Sequence, residues 1–272
     1  MTFDAFAYDG KRVLVVGGAT GMGAAAAQTA KSRGAEVVVM DVQDVSFPID
    51  EFIRVDLRDR SSVDDAMAQV AGPIDALFSC AGVADGTPGI EYINFIAHRH
   101  MIESLAAVGK LGQGSSVALI SSTAGIGWRN RIDQLLEFLA TPDWEAAGSW
   151  IDAHPGTASY TFAKQAVNTY VAREAHRLLR HGIRINAILP GPTDTPLGLA
   201  NAELWLAVGQ DYRESVGADV MHAEQMGNAL VFLCSAAASG ISGETLTVDL
   251  GQVASAQSGS YPDAIVDLLM TM

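Results

Sequence analysis

One segment near the start of the sequence restricts the fold more than any other. The apolar run RVLVV (12–16) leads directly into GGATGMG (17–23), and a second apolar run, AEVVVM (35–40), ends at Asp41. Short continuous apolar runs are typical of parallel strands buried on both faces. The alanine-rich stretch between them has no proline and ends at Gly34, which predicts a helix with a glycine stop. The segment therefore predicts a β-α-β unit.

The alternation of strand and helix patterns continues along the chain. Further strands are predicted near 52–56, 74–79, 116–121, 183–189 and 245–250, and further helices over 61–71, 91–108, 158–180 and 222–235. Strands that alternate with helices indicate a parallel sheet. We therefore expect the α/β class: a single Rossmann-type doubly wound parallel sheet with helices on both faces.

Charge and cysteine content exclude several classes of function. With 17 basic and 31 acidic residues, the net charge is −14, which disfavours attraction to nucleic acids and to anionic membrane surfaces. The amino-terminal residues lack an apolar signal core, and no run of 18 apolar residues occurs, so we expect a cytoplasmic protein. Cys80 and Cys234 stand alone in the sequence, which predicts reduced buried thiols rather than a redox pair or a metal site.

The glycines after the first strand predict a phosphate-binding turn. Gly17, Gly21 and Gly23 open the first helix, whose amino terminus carries partial positive charge. Glycines in this position also serve compact packing alone. The strand, turn, helix and following acidic residue in that order nevertheless favour a dinucleotide site.

Asp41 indicates which dinucleotide is bound. It ends the second strand, where a carboxylate accepts hydrogen bonds from the adenosine ribose and repels a 2′-phosphate. No Lys or Arg occurs between Gly17 and Gly23, and Val42 follows Asp41, so we expect nothing nearby to offset this repulsion. The sequence therefore predicts NAD rather than NADP. Asp56 is a second candidate, for contact with adenine, although a structural role at the strand end is nearly as consistent.

The stretch ASYTFAK (158–164) predicts a reactive pair. Tyr160 and Lys164 are four positions apart and share one face of the predicted helix. A free phenol has a pKa of about 10, so a nearby ammonium would help it to act near neutral pH. The same spacing also arises where a tyrosine simply packs on a lysine side chain. Ser122, at the end of a predicted strand, favours the reactive interpretation, because such strand ends line the ligand crevice.

These motifs together resemble the short-chain dehydrogenase/reductase family, over almost the whole chain. The matching positions, in family order, are Gly17, Gly21, Gly23, Asp41, Asp56, Cys80-Ala81-Gly82, Asn94, Ser122, Tyr160, Lys164, Asn186 and Pro190-Gly191. Four positions depart from the common pattern: Val16 replaces a Thr, Ser79 and Cys80 replace two Asn, and Leu250 replaces a Gly in VDLG (248–251). We expect fewer hydrogen bonds bracing the loops at Val16 and at Ser79-Cys80, and an altered turn at Leu250.

The resemblance implies hydride transfer between NAD and an alcohol or carbonyl carbon. It assigns Tyr160 to proton transfer, Ser122 to the substrate oxygen, Lys164 to the phenol and the nicotinamide ribose, and Asn94 to a relay water. The cofactor residues that it implies are Gly17, Gly21, Met22, Gly23, Asp41, Asp56, Leu57, Ala81, Gly82, Tyr160, Lys164, Pro190, Gly191, Thr193 and Thr195.

The spacing of the motifs predicts the domain organisation of the chain. We expect one catalytic domain, 1–272, with a helical insertion at about 126–156 and a carboxy-terminal tail at about 252–272. The insertion separates Ser122 from Tyr160 by far more residues than is common in the family. A lid over an apolar substrate and a packing element on the domain or a neighbouring subunit are equally consistent with it.

The long insertion is similar to a branch of the family that includes 3α-hydroxysteroid dehydrogenase/carbonyl reductases and coniferyl-alcohol dehydrogenases. This similarity implies a bulky, largely apolar alcohol or ketone as substrate. In the segment 194–215, Leu197, Leu199, Leu204 and Trp205 are candidates for substrate contact, and ordinary helix packing explains them equally well. Ile265, Leu268 and Leu269 form an apolar stripe suited to burial on the body or on a partner.

Two other classes of function fit the sequence less well. A non-catalytic regulator that binds NAD(H) needs the glycines and Asp41 but leaves Tyr160 without a purpose, and a structural or partner-binding protein leaves the whole site unused. His98 and His100 face different directions on a helix, with no third ligand nearby, so we expect no metal. The expected partners are a small-molecule alcohol or ketone and, by family resemblance, further copies of the chain in a homodimer or homotetramer.

Overall fold

The structure is a computed structural model that describes residues 4–272, apart from the side chain of Leu204. The strands are β1 (Arg12–Val16), β2 (Glu36–Asp41), β3 (Glu51–Arg54), β4 (Ala76–Ser79), β5 (Ser116–Ile120), β6 (Arg184–Pro190), β7 (Thr193–Asp194), β8 (Met221–His222) and β9 (Thr245–Val248). The helices are α1 (Gly21–Ser32), α2 (Arg60–Gln69), α3 (Ala97–Ala107), α4 (Ile132–Leu139), α5 (Trp144–Ala153), α6 (Tyr160–Leu179), α7 (Pro196–Ala200), α8 (Ala202–Trp205), α9 (Gln210–Val216), α10 (Ala223–Cys234), α11 (Gln252–Gln257) and α12 (Ala264–Thr271).

The central sheet of the described chain has seven parallel strands in the order β3-β2-β1-β4-β5-β6-β9. The chain runs outward from β1 to β3 and then crosses back to place β4 on the other side of β1. This reversal opens a crevice at the carboxyl ends of β1 and β4, where such sheets bind ligands. The doubly wound parallel sheet predicted from the sequence is confirmed.

The strands are buried on both faces because their apolar residues point alternately to two cores. Leu14 and Val16 of β1 face the core under α2, α3 and α6, whereas Val13 and Val15 face the core under α1 and α10. Each of these four side chains is fully buried. This alternation explains why the strands read as continuous apolar runs in the sequence.

The predicted helix over 91–108 differs in its first turn. Residues Tyr92–Ile96 form a π-helical turn before α3 begins at Ala97. A π turn inserts one extra residue into a helix and is frequent at functional sites. Here it contains Asn94, one of the predicted catalytic residues.

The insertion packs onto the domain. A 3-10 turn at Thr123–Arg131 leads into α4 and α5, which contact α6 and the π turn respectively. Phe138 of α4 is 1% exposed, and its ring lies 5.5 Å from those of Phe95 and Phe162. On α5, Trp144 stacks on Tyr92 at 5.1 Å between ring centroids. The aromatic residues of the insertion therefore extend the core beneath α6.

This packing predicts a large stability effect at Phe138. Phe138→Ala is expected to cost about 3–5 kcal/mol, because the cavity among three aromatic rings cannot close, and to lower Tm by at least about 6 °C in a thermal melt. Leu136→Ala, on the exposed side of the same helix, is the matched control and should cost less than about 1 kcal/mol. An unchanged Tm for Phe138→Ala would contradict the packing role.

The carboxy-terminal tail lies against the 3-10 turn of the insertion. The Asn130 side-chain amide donates to the Met270 carbonyl at 2.5 Å, and a Cβ on Gly127 would stand 2.4 Å from the Leu269 carbonyl oxygen. Within the predicted apolar stripe, Leu269 is half-buried, but Ile265 and Leu268 are 43% and 61% exposed. Ile265 and Leu268 are therefore not buried against the body of this chain, and their burial on a partner stays a prediction.

The turn after β9 has an unusual backbone. Leu250 has φ +59°, in the left-handed region that favours glycine. This is the VDLG position at which the sequence departs from the family pattern, so the departure places a strained leucine where a glycine would be relaxed.

None of the described helices is long and apolar enough to cross a membrane.

Candidate active site

A cleft of about 550 Å³ lies at the carboxyl ends of the central strands. Nearly all of the predicted site residues line it, and they come from segments far apart in the sequence. The predicted residues on its wall are Gly17, Gly21, Met22, Gly23, Asp41, Asp56, Leu57, Ala81, Gly82, Ser122, Tyr160, Lys164, Pro190, Gly191, Thr193 and Thr195. Asn94 is the predicted site residue that lies behind the wall rather than on it.

The glycine turn has the shape that a dinucleotide diphosphate requires. A Cβ on Gly23 would stand 2.0 Å from the carbonyl oxygen of Gly17, and one on Gly17 would stand 2.4 Å from the backbone of Ala81. The amino terminus of α1 has no side-chain cap, and its first turn contains no acidic residue. Uncapped amides at a helix amino terminus bind phosphate groups, so the residues present fit the cofactor.

Asp41 is held in place by the same turn. Its Oδ2 accepts a hydrogen bond from the Ala19 amide, and its Oδ1 accepts one from the Gln43 amide, each at 2.9 Å. Each carboxylate oxygen has a further lone pair that can accept from a ribose hydroxyl. The carboxylate therefore lies fixed at the adenosine end of the cleft.

The strand beside Asp41 and the turn that follows this strand contribute two arginines to this region. Arg54 pairs with Asp41 across the β2–β3 register and donates to the Val42 carbonyl at 2.5 Å and to Asp44. Arg58 lines the cleft and donates to Asp56 at 3.0 and 2.6 Å, which lowers the pKa of that carboxyl. The expectation of no cation nearby is wrong, because β3 and the turn after it bring these groups in from a distance. Both guanidinium groups are already paired with carboxylates.

The predicted reactive groups converge at the other end of the cleft. The Lys164 ammonium lies 5.4 Å from the centre of the Tyr160 ring and donates to the Ile120 carbonyl at 2.8 Å. Ser122 ends the strand segment beside them and accepts from the Ala124 amide at 3.1 Å. Tyr160 is the first residue of α6, so its side chain projects from the helix end into the cleft.

The environment changes the proton affinities of this group. Burial lowers the pKa of Lys164 to about 8. Burial also raises the pKa of the Tyr160 phenol; the hydrogen bond with Ser122 acts in the opposite direction, and the nearby Asp85 carboxylate raises it further. The phenol is therefore protonated near neutral pH in the structure without a ligand.

Asn94 supports the cleft from behind. It is 1% exposed, its Oδ1 accepts from the Val83 amide at 2.8 Å, and its Nδ2 donates to the Val83 carbonyl at 2.9 Å. A Cβ on Gly82 would lie 3.5 Å from Asn94 Oδ1 and 3.6 Å from Lys164 Nζ. The side chain of Asn94 thus fixes the loop that separates it from the reactive groups.

His98 also braces the loop after β4. Its Nε2 lies 3.1 Å from the Ala81 carbonyl oxygen, which can only accept, so Nε2 carries the proton and Nδ1 accepts from the Ser79 hydroxyl. Burial lowers the pKa of His98 to about 4, which keeps the ring neutral. The Ser79–His98 pair thus supplies bracing at Ser79-Cys80, where the sequence predicted fewer hydrogen bonds. His100 instead contacts Asp64 at 2.7 Å.

The segment 197–213 forms part of the wall at the substrate end of the cleft, beside Tyr160. The ring of Trp205 lies 4.9 Å from that of Tyr160, and Arg213 holds the segment by donating to the Leu206 and Val208 carbonyls at 2.6 and 2.7 Å. Leu197 also lines the cleft, whereas Leu199 is 58% exposed and does not. The side chain of Leu204, the remaining candidate, lies outside the described part of the structure.

The two threonines after Pro190-Gly191 lie on the wall opposite the glycine turn. Thr193 Oγ1 donates to the Gly191 carbonyl at 2.9 Å, and Thr195 Oγ1 accepts from the Gly198 amide at 3.0 Å at the start of α7. A Cβ on Gly21 would lie 3.5 Å from Thr195, so the cleft is narrow between them. This wall can reach a bound diphosphate from the other side.

Several residues of the cleft were not predicted from the sequence. Asp85, in the loop after β4, accepts a hydrogen bond from the Tyr160 amide at 2.7 Å, and Ile265 and Leu269 of α12 complete the apolar wall. The apolar stripe of the tail was a signal for the last two, whereas nothing in the local pattern distinguished Asp85. In the described residues, no cluster of three or more His, Cys, Asp or Glu side chains has the arrangement of a metal site.

Two family models match overlapping parts of the chain. The family model described as the NAD dependent epimerase/dehydratase family matches residues 13–177, and the one described as Enoyl-(Acyl carrier protein) reductase matches residues 149–252. Cis-4-hydroxycyclohexanecarboxylate dehydrogenase of Sinomonas cyclohexanicum is 32% identical over 90% of this chain and 97% of that protein. Short-chain dehydrogenase reductase 5 of Arabidopsis thaliana is 30% identical over 89% and 94%.

Two further similarities concern the branch of the family. Coniferyl-alcohol dehydrogenase of Pseudomonas sp. (strain HR199 / DSM 7063) is 26% identical over 89% of this chain and 96% of that protein. The solved structure of 3-alpha-hydroxysteroid dehydrogenase from Pseudomonas sp. B-0831 complexed with NADH shares the fold, with a TM-score of 0.73 and 23% identity over 92% and 99% of the two chains. The chain therefore belongs to the short-chain dehydrogenase/reductase family of nicotinamide-dependent oxidoreductases.

Proposed function

We propose that the protein is an NAD-dependent oxidoreductase that interconverts a bulky, largely apolar alcohol, secondary or aromatic, with its carbonyl compound. The observation that carries this proposal is the convergence of Tyr160, Ser122 and Lys164 at one end of a cleft whose other end contains Asp41. One end fits a nicotinamide and a reacting oxygen, and the other fits an adenosine ribose.

Each of these side chains has a distinct task in the proposed reaction. When bound, the nicotinamide accepts a hydride from the alcohol carbon or donates one to the carbonyl carbon. Ser122 holds the substrate oxygen by a hydrogen bond, and Tyr160 transfers the proton to or from it. Lys164, buried beneath the tyrosine ring and held by the Ile120 carbonyl, stabilises negative charge on the phenol oxygen.

The raised pKa of Tyr160 affects carbonyl reduction and alcohol oxidation differently. A protonated phenol can donate its proton to a carbonyl oxygen that is being reduced. Oxidation of an alcohol requires the phenolate, which Ser122 and the Lys164 ammonium favour and which burial and Asp85 oppose. Alcohol oxidation is therefore the direction that gains from alkaline pH.

The proposal of NAD rather than NADP rests on Asp41. Its carboxylate would lie beside a 2′-phosphate and repel it, while Arg54 and Arg58 are engaged by Asp44 and Asp56. A 2′-phosphate would therefore lie beside the negative charge of Asp41, while the two nearby guanidinium groups already form salt bridges with other carboxylates.

Asp41→Ala tests the cofactor proposal. Charged hydrogen bonds contribute about 1.5–3 kcal/mol each, so kcat/KM with NAD should fall about 10- to 100-fold. The ratio of kcat/KM with NAD to kcat/KM with NADP should fall by a larger factor, because the repulsion of the 2′-phosphate is lost as well. Steady-state kinetics with both cofactors measures this. Asp65→Ala, an exposed carboxylate of α2 outside the cleft, should leave the preference unchanged. A wild-type preference for NADP would refute the proposal.

The proposed substrate class rests on the wall around Tyr160. Trp205, Leu197, Ile265 and Leu269 make this end largely apolar, and the ring of Trp205 faces that of Tyr160. Such a surface suits a ring system rather than a short chain. Relatives named for coniferyl alcohol and a hydroxysteroid support this class of substrate. The relative named for a hydroxycyclohexanecarboxylate supports a ring alcohol but not the apolar character, because that compound carries a charge.

The direct experiment is a screen of NADH absorbance with the purified protein across hydroxysteroids, aromatic alcohols and cyclic alcohols, together with the matching ketones. Turnover of ring alcohols with NAD supports the proposal. NADH binding measured by fluorescence without turnover of any member would refute it and favour the regulatory alternative.

Further properties remain predictions of the same proposal. Residues 1–272 are proposed to form one catalytic domain, with the insertion at about 126–156 and the tail at about 252–272 as parts of it. A homodimer or homotetramer of the chain is proposed by family resemblance, and light scattering after size exclusion measures it. The cytoplasmic location also stays a prediction.

A further inference from the structure

The charges around the cleft are divided between its two ends. At the adenosine end, the described lining contains Asp41, Asp56 and Arg58. At the substrate end, the charged groups among the described lining residues are Asp85 and the Lys164 ammonium. Lys164 is 3% exposed and lies beneath the tyrosine ring, whereas Asp85 is exposed at the mouth. A substrate that enters the cleft therefore meets a carboxylate first.

Asp85 also occupies the position at which an anion would otherwise bind. It accepts a hydrogen bond from the backbone amide of Tyr160, the first residue of α6, at 2.7 Å. The cap of the same helix, Ser159, accepts from the Phe162 amide at 3.3 Å. Amides at the amino terminus of a 20-residue helix attract negative charge, and here the chain supplies that charge itself. A carboxylate on the substrate finds this site filled.

We propose that Asp85 sets the charge selectivity of the enzyme: it admits neutral and cationic ring alcohols and rejects those that carry a carboxylate. This inference rests on the proposed function, since it concerns the substrate of the same site. Apart from Lys164, the described lining of the substrate end contains no cation that could offset the charge of Asp85, and the hydrogen-bond donors of Ser122, Thr161 and Trp205 are neutral. A carboxylate on the substrate therefore meets direct repulsion from Asp85.

The expected size of the effect is about tenfold in kcat/KM between a neutral and an anionic form of the same alcohol. Two unit charges several ångströms apart near a protein surface interact by an amount that corresponds to at least a factor of ten, and the exposure of Asp85 reduces it through solvent and salt. The selectivity should therefore weaken as salt concentration rises.

The test compares three probes that share one ring: 4-hydroxycyclohexanecarboxylate, its methyl ester and 4-(aminomethyl)cyclohexanol. A steroid alcohol with a carboxylate side chain and its methyl ester form a second, larger pair. The wild-type enzyme, with NAD, should turn over the ester and the amine about tenfold better than the acid. The quantity compared among variants is the acid-to-ester ratio of kcat/KM, because a ratio is insensitive to a general loss of activity.

Two variants isolate the charge from the hydrogen bond. Asp85→Asn retains an oxygen that can accept from the Tyr160 amide but removes the charge, and it should bring the acid-to-ester ratio to within about threefold of one. Asp85→Ala removes both and should change the ratio similarly while lowering Tm. Asp152→Asn, an exposed carboxylate of α5 outside the cleft, removes the same net charge and should leave the ratio as in the wild type.

The outcomes distinguish this inference from the proposed function. Equal ratios in the wild type and in Asp85→Asn, with both probes turned over, would overturn the charge selectivity and leave the oxidoreductase proposal standing. A wild-type preference for the acids would overturn it as well. Failure of every alcohol in the screen and of every probe to reduce NAD would overturn the proposed function, and the inference would fall with it.

Discussion

Tyr160→Phe is expected to lower kcat/KM for ring alcohols by about 10³-fold, because removing the phenol oxygen removes the group that transfers the proton. Positioned acids and bases of this kind contribute about 10²- to 10⁴-fold to a reaction rate. Affinity for NADH, measured by fluorescence titration, should change by less than about threefold, equivalent to about 0.6 kcal/mol. The variant thus separates proton transfer from cofactor binding.

Tyr170→Phe is the matched control for this result. Tyr170 lies on the same helix, is 1% exposed, and its hydroxyl has no hydrogen-bond partner among the described residues. Removing a buried hydroxyl without a partner costs little and can stabilise the fold. Turnover by Tyr170→Phe should therefore match the wild type. Appreciable turnover by Tyr160→Phe, with the control also active, would refute the assignment of the proton donor.

Gly23→Ala is expected to raise the Kd for NADH at least about 100-fold, a loss of about 2.7 kcal/mol in binding free energy. The added Cβ would stand 2.0 Å from the Gly17 carbonyl oxygen and 3.0 Å from Cys80 Cβ, so the turn must move. That movement displaces the amides at the start of α1 and also Ala19, which holds Asp41. Both halves of the adenosine-diphosphate site change together.

The control for Gly23→Ala is another glycine whose Cβ has room. Gly240 has no atom within 4 Å of an added Cβ and no positive φ, so Gly240→Ala should leave NADH affinity and Tm close to wild type. Fluorescence titration and a thermal melt measure both quantities for each variant. A Kd for Gly23→Ala within a few-fold of wild type would show that the turn does not hold the cofactor as proposed.

Local sequence patterns predicted the sheet and one half of the cleft well. The apolar runs of β1 and β2, the turn between them and Asp41 are close in the sequence, and their spacing alone determines how they meet. Tyr160 and Lys164 were predictable for the same reason, since a helix fixes the relation of positions four apart. Ser122 required only the rule that strand ends line the crevice.

The features that the sequence did not reveal depend on distant parts of the chain. The sequence of the insertion was equally consistent with a lid and with a packing element. Its packing follows from the contacts of Phe138 with Phe95 and Phe162. Arg54 reaches the adenosine end only through the pairing of β2 with β3. The contact of Asp85 with the Tyr160 amide joins positions that no local period relates. Tertiary packing decides such contacts, and a single sequence carries no local signal for them.

The walls of the cleft come from segments that extend from Gly17 to Leu269. Contacts between such distant positions form late in folding, because a long loop must close before each of them can contribute. A dinucleotide that binds only the finished cleft then stabilises the whole native state by mass action. Cofactor supply would consequently control the lifetime of this protein in the cell, since saturated molecules spend less time in the opened forms that proteases cut.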